Sequence, residues 1–235
     1  MIPLIEVSSL TYRYQDGTTA LNHVDFRLYA GETVVLLGAN GSGKSTFLLN
    51  LNGLLAGEGL IRVCGLPMCK DNLAQIRGKI GLVFQDSENQ LFLPTVIEDV
   101  AFGPLNQGAA PEEAARRARL ALEATGMADA ERRAPYHLSA GEKKRAAIAG
   151  ILAMSPEILV LDEPTTFLDP PGQRALIDLL RKLPQAKIVV THDVLFACAI
   201  ATRAVFFESG SIVAEGPVEE IARRHGWYPA TSAGR

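Results

Sequence analysis

Cysteine is scarce: the 235-residue chain holds three, Cys64, Cys69 and Cys198. An odd number without tight paired spacing supports no disulfide framework, and Cys64 and Cys69 alone fall short of the four ligands a structural zinc site takes. A reducing compartment is therefore expected. Long hydrophobic runs are missing too. The longest uninterrupted apolar stretch, residues 194–201, is far shorter than the roughly 20 residues a membrane-spanning helix requires. Glu6 interrupts the opening apolar residues before a secretory core could form, so the protein is expected to be cytosolic. Nor is there an excess of charge of one sign: 23 Lys and Arg stand against 26 Asp and Glu, for a formal net charge of −3. Nothing in that balance recommends nucleic acid or anionic lipid as the main partner. What the chain does have is 48% hydrophobic and 21% charged residues, enough to bury one sizeable core.

Short β-branched runs at 33–37, 79–84, 158–161, 188–190 and 205–207 read as buried strands. Helical patterns lie between them at 44–54, 111–125, 143–154, 172–183 and 194–201, so strands and helices alternate toward a parallel α/β sheet. At the front, residues 4–14, 23–29 and 60–63 alternate apolar and polar side chains, with turns at Asp16-Gly17 and Ala30-Gly31. They read as a second layer of half-exposed antiparallel strands. The helix at 111–125 opens with Pro111, Glu112 and Glu113, and its Arg116, Arg117 and Arg119 read as a solvated face, with no aromatics interleaved. The tail from Tyr228 reads as frayed.

Residues Gly38-Ala39-Asn40-Gly41-Ser42-Gly43-Lys44-Ser45-Thr46 follow the run 33–37 and open a helix. That is the strand, loop and helix order of a phosphate-binding P-loop. The glycines let backbone N–H groups converge on phosphate oxygens, Lys44 puts a positive charge beside the β and γ phosphates, and the Ser45 hydroxyl suits magnesium. The acidic partner is Asp162-Glu163, ending the apolar run 158–161. Ligands bind at strand ends in open α/β sheets. Asp162 suits a magnesium shell, while Glu163 is placed to orient or deprotonate an attacking water.

A third motif, Leu138-Ser139-Ala140-Gly141-Glu142, resembles the ABC-ATPase signature. Taken by itself it is also a capping box, Ser139 and Glu142 opening a helix that begins near Lys143. In the family such a helix N-terminus binds the γ-phosphate held by the opposing subunit, so the resemblance implies that each protomer supplies half of its partner's site. The other family marks fall in order: Tyr14 at the adenine-stacking position, Gln85 ending the run 79–84, Phe167-Leu168-Asp169 as the D-loop, and His192 after the run 188–190. Tyr12 shares the strand face with Tyr14, and register favours Tyr14. The resemblance spans residues 4 to about 216. It implies an ATPase with catalytic Glu163, His192, Gln85 and Lys44, and a magnesium ion held by Ser45, Gln85 and Asp162. It also implies ATP contacts from Tyr14, Gly38, Asn40, Gly41, Ser42, Gly43, Lys44, Ser45, Thr46, Gln85, Asp169 and His192, with Ser139, Gly141 and Glu142 acting across the dimer. Ala140 and Glu142 depart from the usual glycine and glutamine. Glu142 brings a negative charge near the partner's ribose, from which weaker nucleotide affinity is expected. Phe167 is bulkier than the small residue common there.

Residues 14–18, 51–55, 83–86, 89–92 and 98–104 resemble the energy-coupling-factor ATPases, with Gln90 as their second glutamine. The fold implied is an α/β P-loop NTPase core of RecA type with an antiparallel β subdomain and a helical signature subdomain. One domain would fill 1–235, with 86–137 helical and 217–235 a short tail. The implied partners are a second ABC ATPase, identical or not, a membrane-embedded T component and a substrate-capture subunit, at the cytoplasmic face of the membrane and without nucleic acid. Uptake of cobalt or nickel, or of a vitamin such as biotin, is the implied activity. The competing class, DNA-repair and chromosome ABC ATPases, inserts a long coiled coil or zinc element before the signature; the interval from Gln85 to Leu138 has neither heptads nor cysteine pairs.

Overall fold

The structure, a computed structural model, describes residues 2–85 and 90–228. The chain begins with β1 (Ile5–Arg13), β2 (Thr19–Leu28) and β3 (Thr33–Leu37), then α1 (Lys44–Leu51), β4 (Glu58–Val63) and β5 (Leu66–Pro67). There follow α2 (Leu73–Lys79), β6 (Ile80–Val83), α3 (Val96–Asn106), α4 (Pro111–Ala124) and α5 (Ala140–Ala153). The last part alternates β7 (Ile158–Asp162), α6 (Pro170–Lys182), β8 (Ala186–Val190), α7 (Val194–Ile200), β9 (Arg203–Glu208), β10 (Ser211–Gly216) and α8 (Val218–Arg224).

The strands form two sheets, ordered β2-β1-β4-β5 and β10-β9-β3-β8-β7-β6. The first is antiparallel throughout. In the second, β6, β7, β8, β3 and β9 run parallel and β10 closes the edge antiparallel. The expected parallel core and antiparallel front layer are both present.

Parallel strands covered on both faces lose the polar alternation of half-exposed ones. In β3, Val34 and Leu36 enter a core shared with the first sheet and α1, where Phe26, Phe47 and Phe207 meet. Val35 and Leu37 point the other way, into a core built with Leu159, Leu161, Val189 and side chains of α5 to α8. A third core joins α3 and α4 to α5 through Val100, Ala118, Leu122 and Ala149.

Several elements differ from the sequence expectation. The first helix stops at Leu51 because Gly53 turns left-handed, φ 68°, after Asn52. The signature helix starts at Ala140, since Ser139 is the cap itself. The tail expected from residue 217 contains α8, whose Val218, Ile221 and Ala222 are buried in the second core. The fraying expected beyond Tyr228 lies outside the described residues, as do Asp86 and Asn89 of the energy-coupling-factor pattern. Among the described residues no helix is long and apolar enough to cross a membrane.

Candidate active site

Four neighbouring strands, β3, β8, β7 and β6, end on the same edge of the parallel sheet. Their carboxyl ends carry the glycine loop, His192, the Asp162-Glu163 pair and Gln85, in that spatial order. A cleft of about 730 Å³ opens over them, lined by Tyr14, Asn40, Gly41, Gly43, Lys44, Ser45, Thr46, Gln85, Asp162, Glu163 and His192. Thr18, Thr19, Ala20 and Thr166 also line it. Thr19, Ala20 and Thr166 were not singled out from the sequence; the first two reach the cleft from the start of β2 and Thr166 from the turn after β7.

The loop is tight at two points that exclude any side chain. Gly43 caps α1 at φ 108°, and a Cβ there would lie 2.5 Å from the Ala20 carbonyl oxygen. At Gly38, φ 140°, a Cβ would strike the Phe207 carbonyl oxygen. Lys44 is buried inside this ring and donates to the carbonyls of Gly38 at 2.6 Å and Ala39 at 2.9 Å, and to Ser42 Oγ at 3.3 Å. Burial pushes its ammonium below the usual lysine range, while Glu163 and Asp162 oppose that shift. Tyr14 Oη pairs with Thr46 Oγ1 at 2.9 Å, which fixes the ring at the cleft wall. Tyr12 meets it edge-on at 5.0 Å and packs against the first core instead.

Ser45 Oγ donates to Asp162 Oδ2 at 3.4 Å, so a hydroxyl and a carboxylate converge beside Lys44. Burial raises the Asp162 carboxyl above its ordinary value. Among the described residues no group of three or more His, Cys, Asp or Glu could hold a metal alone. An oxygen pair of this kind fits a magnesium ion that keeps several waters and takes its other ligands from phosphates.

Glu163 sits one residue past β7 at φ 43°, a left-handed conformation that disfavours a residue with a Cβ. Its amide continues the ladder to Val190 O at 2.9 Å, and its side chain turns toward His192. Glu163 Oε2 accepts from the His192 amide at 3.3 Å, and Oε1 lies 3.0 Å from His192 Nε2. That second contact lacks hydrogen-bond alignment, leaving Oε1 buried without a donor. Burial is the main reason the Glu163 carboxyl is pushed up to about 7, with Asp162 adding to it. Burial, followed by the Lys44 charge, lowers the His192 imidazole. A buried carboxylate with one oxygen unengaged, facing a cleft, can hold and polarise a water.

Two clamps steady the Gln85 end of the cleft. Gln90 donates to Leu82 O and accepts from Phe84 N, both at 3.0 Å, pairing with the exposed edge of β6. Lys144, on the signature helix α5, reaches Gln85 O at 2.8 Å and Phe84 O at 3.4 Å. Lys144 was not singled out from sequence; its signal there is only a lysine on the inward face of a helix.

Ser139, Gly141, Glu142 and Asp169 do not line the cleft. Asp169 caps α6 by accepting from Gly172 N at 2.8 Å. Ser139 is exposed at the N-terminus of α5, closed by the reciprocal capping box with Glu142. The Glu142 charge is balanced within the chain: Arg133 Nη1 donates to Glu142 Oε1 at 2.7 Å, and its Nη2 to His137 O at 2.8 Å. The Ser139 amide and then Arg133 hold that carboxyl down at about 2. The negative charge that Glu142 was expected to add is thus paired with Arg133. Ala140 is exposed at the first turn of the helix. Phe167 adopts φ 65° with 79% of its surface exposed, and nothing in the chain accounts for its bulk.

Residues 21–166, more than half of the chain, match the ABC transporter family. The chain belongs to that family. The ATP-binding cassette is 49% identical over 226 residues to an energy-coupling factor transporter ATP-binding protein, EcfA, of Methanothermobacter thermautotrophicus, covering 94% of this chain and 73% of that one. Relatives of similar identity, in Geobacter sulfurreducens for example, carry only a provisional ABC transporter ATP-binding name. Among solved structures, cbiO1 of Clostridium perfringens, described as part of the ABC transporter complex cbiONQ, superposes with a TM-score of 0.87 at 35% identity, over 96% of this chain and 92% of that one. The ATP-binding cassette MJ0796, in a dimeric post-hydrolysis state bound to ADP and Pi, gives a TM-score of 0.81 at 31% identity, over 91% and 98% of the two chains. The cassette is the ATP-binding, ATP-hydrolysing subunit of an ABC transporter.

Proposed function

We propose that this cassette is the motor of an energy-coupling-factor importer, dimerising around two ATP to drive uptake of a transition-metal ion such as cobalt or nickel, or of a vitamin such as biotin. The observation that carries the ATP-sandwich part is the division of the site. The cleft gathers Lys44, Ser45, Asp162, Glu163 and His192, while the helix N-terminus at Ser139-Gly141 does not line it and has Ser139 exposed. The capping box engages the Ser139 and Glu142 amides, and the amides of Ala140 and Gly141 at the same N-terminus are the ones that suit an anion brought by another chain.

Within the cleft, Tyr14 stacks on adenine and the backbone and side chains of residues 38–46 surround the triphosphate. Ser45, Asp162 and Gln85 hold magnesium, which when bound neutralises the charge developing on the phosphates. Glu163 orients and deprotonates the attacking water, and His192 contacts the γ-phosphate. Across the dimer Ser139 and Gly141 contact the partner's γ-phosphate, Glu142 lies near its ribose and Asp169 borders it. The described residues 90–137, which hold α3 and α4, belong to the proposed helical subdomain.

The likeness to EcfA and cbiO1 supports the importer class. Support for a membrane-embedded T component comes from the surface beside Gln85. Phe92, 63% exposed, stacks edge-on with the half-exposed Phe102 at 5.2 Å, and Leu105 extends the patch along α3. A contiguous apolar patch of this kind marks an interaction surface. The interval 90–137 holds α3, α4 and short turns, with no coiled coil of the DNA-repair type. A cysteine placed at Phe92, in a background lacking the three native ones, is expected to cross-link a membrane subunit in the assembled complex. Exclusive capture of soluble proteins or DNA would reject the importer reading.

A further inference from the structure

We propose that Trp227, contributed by the turn after α8, is the positioning residue that holds the His192 imidazole over Glu163. The inference rests on the role given above to His192 and adds to it the group that sets the ring's orientation. The His192 ring has few polar restraints. Its side chain is 41% exposed on the rim of the cleft, and its contact with Glu163 Oε1 at 3.0 Å is not an aligned hydrogen bond. The backbone around it is fixed: the His192 amide donates to Glu163, and Asp193 caps α7 by accepting from Phe196 N at 2.9 Å. The ring itself is steered by a flat contact with the Trp227 indole, centroids 5.3 Å apart and planes 26° from parallel.

Trp227 is well placed to impose an orientation, because its own position is over-determined. Gly226, at φ 70°, reverses the chain after α8, and the Trp227 amide returns to Ala222 O at 2.7 Å. Phe206 of β9 meets the indole edge-on at 5.6 Å and 89°, and is itself stacked flat on His225 at 3.8 Å and 11°. Behind these rings, Val218, Ile221 and Ala222 anchor α8 in the second core. An indole so fixed presents one face to His192 and does not line the cleft, so it acts through the imidazole and not on ATP. Loss of this face leaves the imidazole free to rotate away from Glu163, which disturbs the reacting geometry more than ground-state binding. The turn after α8 is thereby tied to turnover.

The test compares His192→Ala, Trp227→Ala, Trp227→Phe and the double variant His192→Ala/Trp227→Ala, measuring kcat and KM for ATP in the assembled transporter. Trp227→Ala is expected to lower kcat about tenfold with KM within about twofold, Trp227→Phe to recover most of the loss, and the double variant to be no slower than His192→Ala. Equal kcat in wild type and Trp227→Ala, or losses that multiply in the double variant, would overturn the proposal. Wild-type turnover in His192→Ala would overturn the assignment of His192 and this inference with it. A deficient His192→Ala beside an intact Trp227→Ala removes this inference alone. Should Trp227→Ala not fold, emission decides: Trp227 is the chain's single tryptophan, so removing the stacked imidazole in His192→Ala is expected to change emission intensity, and an unchanged spectrum would contradict the contact.

Discussion

Removing the Glu163 carboxylate should stabilise the nucleotide-free cassette, and only above a definable pH. The Glu163 carboxyl has an ordinary value of 4.5 and is pushed up to about 7 in the fold, mainly by burial. Below 4.5 the group is protonated folded and unfolded, and contributes nothing. Between 4.5 and about 7 the folded state holds the extra proton, so stability falls as pH rises, and above about 7 the penalty is complete. Taken in full the displacement corresponds to about 3 kcal/mol. The side chain is 14% exposed beside an open cleft, and solvent screening there reduces the expected effect to about 1–2 kcal/mol. Glu163→Gln keeps the acceptor for the His192 amide and deletes the charge. Thermal unfolding with EDTA and no nucleotide should therefore show the variant melting about 2 to 8 °C higher at pH 8, and alike at pH 4. Equal melting at pH 8, or a gain confined to acid pH, would refute the burial reasoning.

Lys44→Ala should abolish ATP turnover while the fold survives, because the loop glycines and the Gly43 cap remain; ATP hydrolysis beside circular dichroism checks both, and a folded variant with wild-type turnover contradicts the assignment. Arg133→Ala should leave the Ser139-Glu142 capping box closed, changing stability by less than about 1 kcal/mol for a partly exposed pair. The same variant should weaken ATP-dependent dimerisation by exposing the Glu142 charge. Dimer dissociation constants decide this, with Arg133→Ala/Glu142→Gln expected to recover the loss and no recovery counting against charge balance as the cause.

Contiguous chemistry was legible in the sequence. The glycine loop and the Asp162-Glu163 pair each occupy a strand end, where a few residues fix both conformation and reactivity. The buried parallel strands were legible for a related reason, since β3 and β8 are covered on both faces and carry runs of Val, Leu and Ile at 34–37 and 188–190. Contacts between distant segments were not. The hold of Lys144 on Gln85 and the pairing of Arg133 with Glu142 depend on how α5 packs, which no local pattern encodes. The helices α2 and α8 were not read from the sequence, and α3, which contains Gly103 and Pro104, was covered only by the helical span expected over 86–137. The turn that brings Trp227 to His192 follows from α8 and was therefore hidden with it.

In the proposed dimer, ATP held by the P-loop of one protomer and by Ser139 and Gly141 of another joins two chains for as long as it stays uncleaved. On that reading Glu163→Gln removes the group proposed to activate water and keeps the groups proposed to bind ATP, so bound ATP should favour dimers by mass action. Sedimentation velocity of this variant is the most direct measurement. A dimer with ATP and magnesium, a monomer with ADP, and a monomer with ATP when Ser139→Arg is added are the expected results. Normal ATP hydrolysis by Glu163→Gln, or an association state indifferent to nucleotide, would contradict the ATP-sandwich mechanism for this cassette.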